Sequence, residues 1–124
     1  MAPMITSWNM AYNKSIEQTI DRLIAPWPNI EKKKMFGGVC YLTRGNICFG
    51  IWQEYLIVRT DSKTAQAQLQ KDHVCHFDVT GKPMKGWLMV SSVGWPTDAA
   101  MTEWLSMGLN FALTLPEKQA GGNK

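Results

Sequence analysis

The sequence has few cysteines, and none of them stands in a pairing arrangement. Its 124 residues contain three, Cys40, Cys48 and Cys75, with no C-x-x-C spacing. An odd number of cysteines without such spacing argues against a disulfide scaffold and is typical of a reducing compartment. We therefore expect a cytoplasmic protein.

Long apolar runs are also missing. No segment approaches the ~18 consecutive apolar residues of a membrane-spanning helix. Residues 1–7 lack the basic start and the apolar stretch of a signal peptide, so no membrane association is expected. The length fits one domain over residues 1–124. We expect its folded part over residues 10–116, with flexible ends at 1–9 and 117–124.

Recognised catalytic motifs are absent as well. There is no G-x-S-x-G, no H-E-x-x-H and no dinucleotide-binding fingerprint. The cluster of His73, Cys75 and His76 lacks the second ligand pair of a structural zinc site. A Cys–His nucleophile needs a thiolate in an electropositive pocket and a third, orienting group. A thiol- or metal-dependent enzyme centred on Cys75 and His76 is the least favoured hypothesis, and we predict no catalytic residue, metal or cofactor.

The charge balance is only mildly basic. The net charge is +3 and the isoelectric point is near 8.8, whereas dedicated nucleic-acid binders usually exceed ~9 with clustered charge. The run Lys32–Lys34 is typical of a solvated strand edge that discourages aggregation. Nucleic-acid binding is therefore permitted by the charge but weakly supported.

Apolar periodicity predicts three helices. The first covers about residues 13–25, with Asn13 as a plausible N-cap and prolines at its end. A short surface helix is expected over residues 63–70, after a capping cluster at 60–62. The last helix runs from a cap at Thr97 to about Leu115. Its apolar stripe consists of Met101, Trp104, Leu105, Gly108, Ala112 and Leu115.

Between the first two helices the pattern changes to a period of two. Segments 39–43 and 47–51 flank a tight turn, centred on Arg44-Gly45 or on Gly45-Asn46. Either register is expected to place one apolar set on the core face: Cys40, Leu42, Ile47, Phe49 and Ile51. Cys40 and Cys48 are then expected on opposite sides of the hairpin, which excludes a disulfide between them.

Two more strands are predicted further along the chain. The first covers residues 55–59, and the second covers 84–91 after an irregular stretch at 71–79. In the second strand one side is expected to carry Met84, Leu88 and Val90. The other side is expected to carry Lys85, Trp87 and Met89.

Several short motifs follow one another along nearly the whole chain. They are Lys33-Lys34-Met35-Phe36-Gly37-Gly38, Gly45-Asn46 before Ile47-Cys48, Leu56-Ile57-Val58-Arg59, His73, Asp78-Val79-Thr80-Gly81-Lys82-Pro83-Met84-Lys85-Gly86-Trp87, and Trp104 with Gly108 on one helix. Over about residues 10–116 the sequence resembles the TfoX/Sxy N-terminal domain family. It departs from the family pattern at Cys75-His76, where a basic residue and a proline are expected.

This resemblance implies an α+β fold, an antiparallel sheet with helices packed on it, in the order helix, hairpin, strand, short helix, strand, helix. Full-length relatives regulate natural competence genes in bacteria and carry a second, C-terminal domain. The resemblance ends near Pro116, close to the end of the sequence, so we expect a stand-alone member to which the transcriptional role does not transfer whole.

Two functional hypotheses follow. The leading one is a regulatory protein-interaction module, because six Trp and eight Met suit an interface. A homodimer through a sheet edge or the Trp-bearing helix is a further expectation. The second hypothesis is an anion, nucleotide or nucleic-acid binder. Its predicted site joins five basic residues around one concavity beside Trp87: Lys33, Lys34, Arg59, Lys82 and Lys85.

Each glycine–lysine stretch in that site also has a purely structural interpretation. Gly37-Gly38 can cradle an anion, or can allow a bulge or a close backbone approach. Lys85 and Trp87 can contact a phosphate and a base from one strand face, or the lysine stem can simply cover apolar surface. The structural interpretations are favoured, and Lys85 with Trp87 is the pair to test.

Overall fold

The computed structural model describes residues 12–35, 37–77 and 85–118. Within these residues the α+β fold is confirmed, with three α-helices, six strands and one 3₁₀ helix. The elements are α1 Lys14–Leu23, β1 Glu31–Met35, β2 Gly38–Thr43, β3 Asn46–Trp52, β4 Tyr55–Arg59, α2 Ser62–Gln68, β5 Val74–His76, β6 Trp87–Val90, the 3₁₀ helix Ser92–Gly94 and α3 Asp98–Leu113.

The strands form one antiparallel sheet in the order β1-β2-β3-β4-β6-β5. Sequence analysis missed β5, which lies in the stretch predicted to be irregular. Three residues are too few to show a period, and this strand is fixed by its pairing with β6. The predicted strand over residues 84–91 is shorter in the structure, because Gly86 lies in a turn with φ 81°.

The β2–β3 hairpin turns at Arg44 and Gly45, whose φ angles are 53° and 81°. Two residues with positive φ are the signature of a type I′ turn, which fits the twist of antiparallel strands. Thr43 and Asn46 close the turn as a pair. The turn is therefore centred on Arg44-Gly45.

A β-bulge in the same hairpin makes the predicted core face wrong. Tyr41 pairs with Phe49, but Leu42 pairs with Ile47, so Cys48 is an extra residue on β3. An extra residue breaks the alternation of faces along the bulged strand. The predicted set is thus split. Cys40, Leu42 and Ile47 lie on one face, whereas Phe49 and Ile51 lie on the other.

All three helices pack on one face of the sheet, which we call the helix-covered face. Its main strand residues are Val39, Tyr41, Phe49, Ile51, Leu56, Val58, Val74, Leu88 and Val90. Against them α1 buries Ile16 and Ile20, and α2 buries Ala65. The predicted caps Asn13 and Thr97 are confirmed, since their side chains accept hydrogen bonds from the nitrogens of Ser15 and Ala100.

Helix α3 lies unusually close to β3. Its predicted stripe is buried as far as Ala112. At Gly108 an added Cβ would overlap the backbone carbonyl oxygen of Cys48. Glycine is therefore required there for the helix to approach the strand.

The C-terminal end of α3 is held by the hairpin turn. The Arg44 guanidinium donates to the carbonyl oxygens of Leu113 and Leu115, both at 3.2 Å. Leu113 is the last residue of α3, and its carbonyl is one that the end of a helix leaves without an internal partner. Lys118 N donates to Arg44 O at 2.8 Å. The rest of the predicted flexible end, residues 119–124, and the predicted end at 1–9 lie outside the described residues.

Among the described residues, no helix has the length and apolar character needed to cross a membrane.

Candidate interaction surface on the helix-free face

The opposite face of the sheet carries a second apolar cluster, although none of the described helices packs on it. We call it the helix-free face. One cross-strand row runs over all six strands, in register: Lys33, Cys40, Gly50, Ile57, Met89 and Cys75. Leu42, Ile47, Met35, Trp52, Trp87 and Phe77 complete the face. Cys40, Leu42 and Ile57 are buried there.

An aromatic layer covers the centre of this face. The ring centre of Phe77 lies 5.8 Å from that of Trp52 and 6.3 Å from that of Trp87. Phe77 N donates to Trp87 O at 3.1 Å, and the Phe77 side chain is buried. The gap under the three rings is about 10 Å³, which is room for no more than about one water molecule. The layer is therefore packed too closely to form a pocket for a small molecule.

The two indoles of the layer and the large or flexible apolar side chains around it are only half-buried. They are Met35, Ile47, Trp52, Trp87 and Met89. Most of the other large apolar side chains of the sheet are buried. Thioethers and indoles in this state can repack around an incoming surface. The helix-free face therefore has the composition of a contact surface.

Arg59 is the last residue of β4, and its side chain lies between Trp87 on the helix-free face and Phe111 on α3. Its guanidinium carbon is 5.2 Å from the ring centre of Trp87 and 5.6 Å from that of Phe111 on α3. Burial lowers the pKa of Arg59. Both rings stabilise the cation through their faces. The flat edge of the guanidinium, which carries the N–H donors, is the part suited to an anion.

Arg59 has no carboxylate partner in the described part of the chain. The ion pairs found there join Arg22 to Asp98, and Lys32 to Glu17 and Asp21. A half-buried cation without a counter-ion is costly, because the rings replace only part of its hydration. An anion supplied from outside would complete this site.

The structure brings only two of the six predicted site residues together, Arg59 and Trp87. Lys33 and Lys34 are exposed on the edge strand β1, three strands from β4. At about 4.8 Å per strand that separation is about 14 Å. Lys33 pairs with Cys40 and Lys34 with Val39, so the two lysines belong to opposite faces.

The remaining predicted site residues flank a turn. Lys85 is exposed in the turn before β6, and Lys82 lies outside the described residues. The cation found over the Trp87 ring is Arg59, and Lys85 lies in the turn before the strand that begins at Trp87 rather than on that strand. Ligand binding by any of these six residues stays a prediction.

Sequence reasoning missed Phe77 and Phe111. Phe111 follows Trp104 by seven residues, a helical spacing that places both near one side of α3. This spacing could have identified Phe111 from the sequence. No sequence pattern marked Phe77, because the stretch containing it was predicted to be irregular.

The two glycines after the lysines have clear backbone roles. Gly37 has φ 78°, and a Cβ at Gly38 would overlap the carbonyl oxygen of Ile51. The positive φ and the close approach each favour glycine without any ligand. This geometry supports the structural interpretation of Gly37-Gly38.

The cysteines and histidines do not form a catalytic couple. Cys75 and His76 are consecutive residues of β5, so their side chains point to opposite faces of the sheet. Burial raises the pKa of Cys40 to about 11 and that of Cys48 to about 12, so both remain thiols near neutral pH. Among the described residues, no three His, Cys, Asp or Glu side chains are grouped as metal ligands.

Comparison with known proteins gives one family match. No curated protein matches the sequence. The sequence model of the TfoX N-terminal domain matches residues 22–112, which include the whole sheet, α2 and nearly all of α3. The match covers well over half of the chain, and the chain belongs to the TfoX N-terminal domain family.

Proposed function

We propose that this protein is a cytoplasmic regulatory module, of the kind found in competence regulators, that binds another protein through its helix-free face. The occupant is an apolar segment of the partner that carries acidic residues. The observation that carries the proposal is the grouping of half-buried Met35, Trp52, Trp87 and Met89 on one face beside Arg59.

The composition of this surface supports a protein partner. Trp, Met and Arg are enriched at the centres of protein interfaces, where Trp and Arg often dominate the binding energy. The aromatic layer leaves a gap of only about 10 Å³. A partner must therefore lie on this surface rather than enter it.

The charges around the face support an acidic segment. Arg59 lacks a carboxylate partner among the described residues, and exposed Lys33 and Lys85 stand at other points of the rim. On β1, the acidic residue Glu31 lies on the same face as Lys33, two positions away. A second copy of this chain would bring one basic rim against another, which complementarity of charge disfavours.

The test is a selection of phage-displayed random peptides on the immobilised protein. We expect enrichment of peptides that combine large apolar residues with Asp or Glu. Met89→Glu places a carboxylate on the face beside the aromatic layer and should abolish the enrichment. Val93→Glu is the matched control, because Val93 is 72% exposed and lies in the 3₁₀ helix.

Three outcomes would overturn the proposal. The first is enrichment that survives Met89→Glu in a protein whose melting temperature is unchanged. The second is a concentration-dependent dimer, seen by light scattering and lost in Met89→Glu, which would make a second copy the occupant. The third is a salt-sensitive complex with a labelled oligonucleotide that requires Arg59 while no peptide is enriched, which would indicate nucleic-acid binding.

A further inference from the structure

One edge of the sheet is open along a whole strand in the described part of the chain. Strand β1 ends the sheet order, and among the described residues β2 alone pairs with it. All its residues except the half-buried Met35 are exposed. The opposite edge, β5, has three residues, and the Val74 N–H already donates to Lys71 O at 3.2 Å. An open edge can bond to a further strand, and β1 is the edge better suited to one.

The pairing with β2 determines which backbone groups of β1 point away from the sheet. Met35 pairs with Gly38 across a two-residue turn, and the closing pair of such a turn exchanges both backbone hydrogen bonds. Because these bonds alternate along a strand, Lys33 also bonds to β2, whereas the N–H and C=O groups of Lys32 and Lys34 point outward. No described turn, loop or cap bonds to them. These two residues therefore present donors and acceptors to an incoming strand.

The charges along this edge favour an acidic strand. Lys32 is already paired with Glu17 and Asp21 of α1. Lys33 and Lys34 are exposed, and neither forms an ion pair with a described carboxylate. A second copy of β1 would set lysines opposite lysines, and like charges that face each other across a ladder are destabilising. An acidic strand would instead place one carboxylate beside each of the two lysines.

The edge is continuous with the helix-free face. The Met35 side chain borders the gap beneath the rings of Trp52, Phe77 and Trp87. Residues that lie directly opposite each other in paired strands share one face of the sheet. A partner residue opposite Met35 therefore lies on the helix-free side, and the partner chain that runs past this end of β1 reaches the aromatic layer.

We propose that the acidic segment of the partner pairs with β1 as an additional antiparallel strand. In this register an apolar residue lies opposite Met35, and the next two residues of the partner are acidic and lie opposite Lys34 and Lys33. The residues before these three continue onto the aromatic layer. The inference rests on the proposed function, to which it adds the mode of binding and the order of residues in the segment.

The first experiment reads that order from selected peptides. Random peptides displayed on phage are selected on the wild type and on the double variant Lys33→Glu with Lys34→Glu. The wild type should enrich two consecutive acidic residues directly after an apolar one. The double variant should enrich Lys or Arg at the same two positions, because each faces a reversed charge. Lys63→Glu with Lys71→Glu changes the net charge equally at two exposed residues elsewhere and should leave the selected sequences unchanged.

The outcomes of the selection separate this inference from the proposed function. If no peptide is enriched, both fail. If the enrichment is lost in Met89→Glu but the peptides selected on Lys33→Glu with Lys34→Glu keep the same acidic positions, the pairing with β1 alone is overturned. If peptides survive Met89→Glu and reverse their charge with the two lysines, the pairing is supported and the proposed role of the helix-free face is overturned.

Hydrogen exchange tests the backbone bonds themselves. In the free protein the amides of Lys32 and Lys34 should exchange faster than that of Lys33, which is bonded to β2. A saturating amount of a selected peptide should slow exchange at Lys32 and Lys34 by about tenfold more than at Lys33. Slow exchange at both outward amides in the free protein would show that the edge is already covered. That result, or exchange unchanged by the peptide, would overturn the pairing.

A proline substitution removes one of the outward donors. Lys34→Pro and Lys34→Ala both remove the charge, but only the proline variant loses the N–H. Proline is tolerated on an edge strand where its nitrogen faces solvent, so both variants should melt near the wild-type temperature. In calorimetry Lys34→Pro should bind a selected peptide about tenfold more weakly than Lys34→Ala. Equal affinities in the two folded variants would overturn the pairing, and the exchange measurement decides if Lys34→Pro does not fold.

Discussion

The two faces of this sheet bury apolar side chains by different means. On the helix-covered face, α1 and α3 lie across the strands and close a core that includes Ile20, Leu56 and Leu105, all 0% exposed. On the helix-free face, the described residues that cover the strands are the aromatic rings of Trp52, Phe77 and Trp87. One face is closed by whole elements of secondary structure and the other by single side chains.

The basic side chains of the two faces also differ in their partners. At the helix-covered face Lys32 Nζ lies 2.8 Å from carboxylate oxygens of both Glu17 and Asp21, and the Tyr41 hydroxyl donates to Asp21 at 2.8 Å. Burial lowers the pKa of Lys32, but these carboxylates outweigh that effect, so the pKa is raised overall. Arg59 receives no such compensation from the described residues, and its pKa is lowered. Carboxylates of α1 neutralise Lys32, whereas two aromatic rings are the described groups that stabilise Arg59.

The largest difference between the faces should appear on truncating two neighbours of β4. Leu56 faces the helices and is 0% exposed, whereas Ile57 faces the aromatic layer and is 4% exposed. Leu56→Ala should cost about 4 kcal/mol of unfolding free energy, because rigid helices cannot collapse into the cavity. Ile57→Ala should cost about 2 kcal/mol, since single rings can move inward. Urea denaturation measures both.

Equal losses for the two variants would contradict the comparison. That result would mean that the aromatic layer is as rigid a cover as the helices. Ile57→Val is the control for β-propensity, because it removes one methylene and keeps the branched side chain. It should cost about 1 kcal/mol.

The second prediction concerns the closest approach within the helix-covered face. Gly108→Ala should destabilise the protein by about 3 kcal/mol, because the new methyl group meets the Cys48 carbonyl and neither backbone can shift easily. Asn110→Ala, on the exposed side of the same helix, controls for helix propensity and should change stability little. A stabilised Gly108→Ala would show that α3 is free to move away from β3.

The third prediction uses one buried thiol from each face. The folded pKa is about 12 for Cys48 and about 11 for Cys40, against ~8.5 for an unfolded thiol. Above pH ~8.5 the unfolded chain loses thiol protons that the folded chain keeps, so this contribution to stability falls as pH rises toward the folded pKa. By pH ~10.5 each thiol should account for a loss of about 2 kcal/mol.

Cys48→Ala and Cys40→Ala should therefore each lose stability less steeply than the wild type between pH 8 and 10.5, on the scale of ~1.4 kcal/mol per pKa unit. Denaturant titrations at several pH values measure the slopes. A Cys40→Ala slope equal to that of the wild type would show that water reaches Cys40 through the aromatic layer.

Much of this fold is predictable from local signals. The caps Asn13 and Thr97, the stripe of α3 and the limits of β4 at Tyr55 and Arg59 all follow from short-range patterns, and the structure confirms them. Such signals depend on neighbours within one turn or one strand. They are visible in a single sequence.

The remaining features depend on contacts between distant residues. The bulge at Cys48 reverses the face of every later residue of β3 relative to the simple alternation, and no local pattern marks it. The three-residue strand β5 exists through its pairing with β6. The stacking of Arg59 on Phe111 joins positions 52 residues apart. These tertiary features, rather than the motifs, determine the candidate sites.

The smallest expected effect tests whether the aromatic rings hold Arg59 in place. Arg59→Met removes the charge but keeps the apolar stem, and Trp87→Leu removes the ring. A double-mutant cycle should give a coupling energy of about 1 kcal/mol, because the guanidinium is half-buried 5.2 Å from the ring centre. The coupling should change little between low and high salt, unlike that of an exposed ion pair. A parallel cycle with Phe111→Leu should give a similar value, since that ring centre lies at 5.6 Å. Zero coupling in both cycles would mean that solvent, not the rings, stabilises Arg59, and the helix-free face would then lack a positioned cation for an acidic partner.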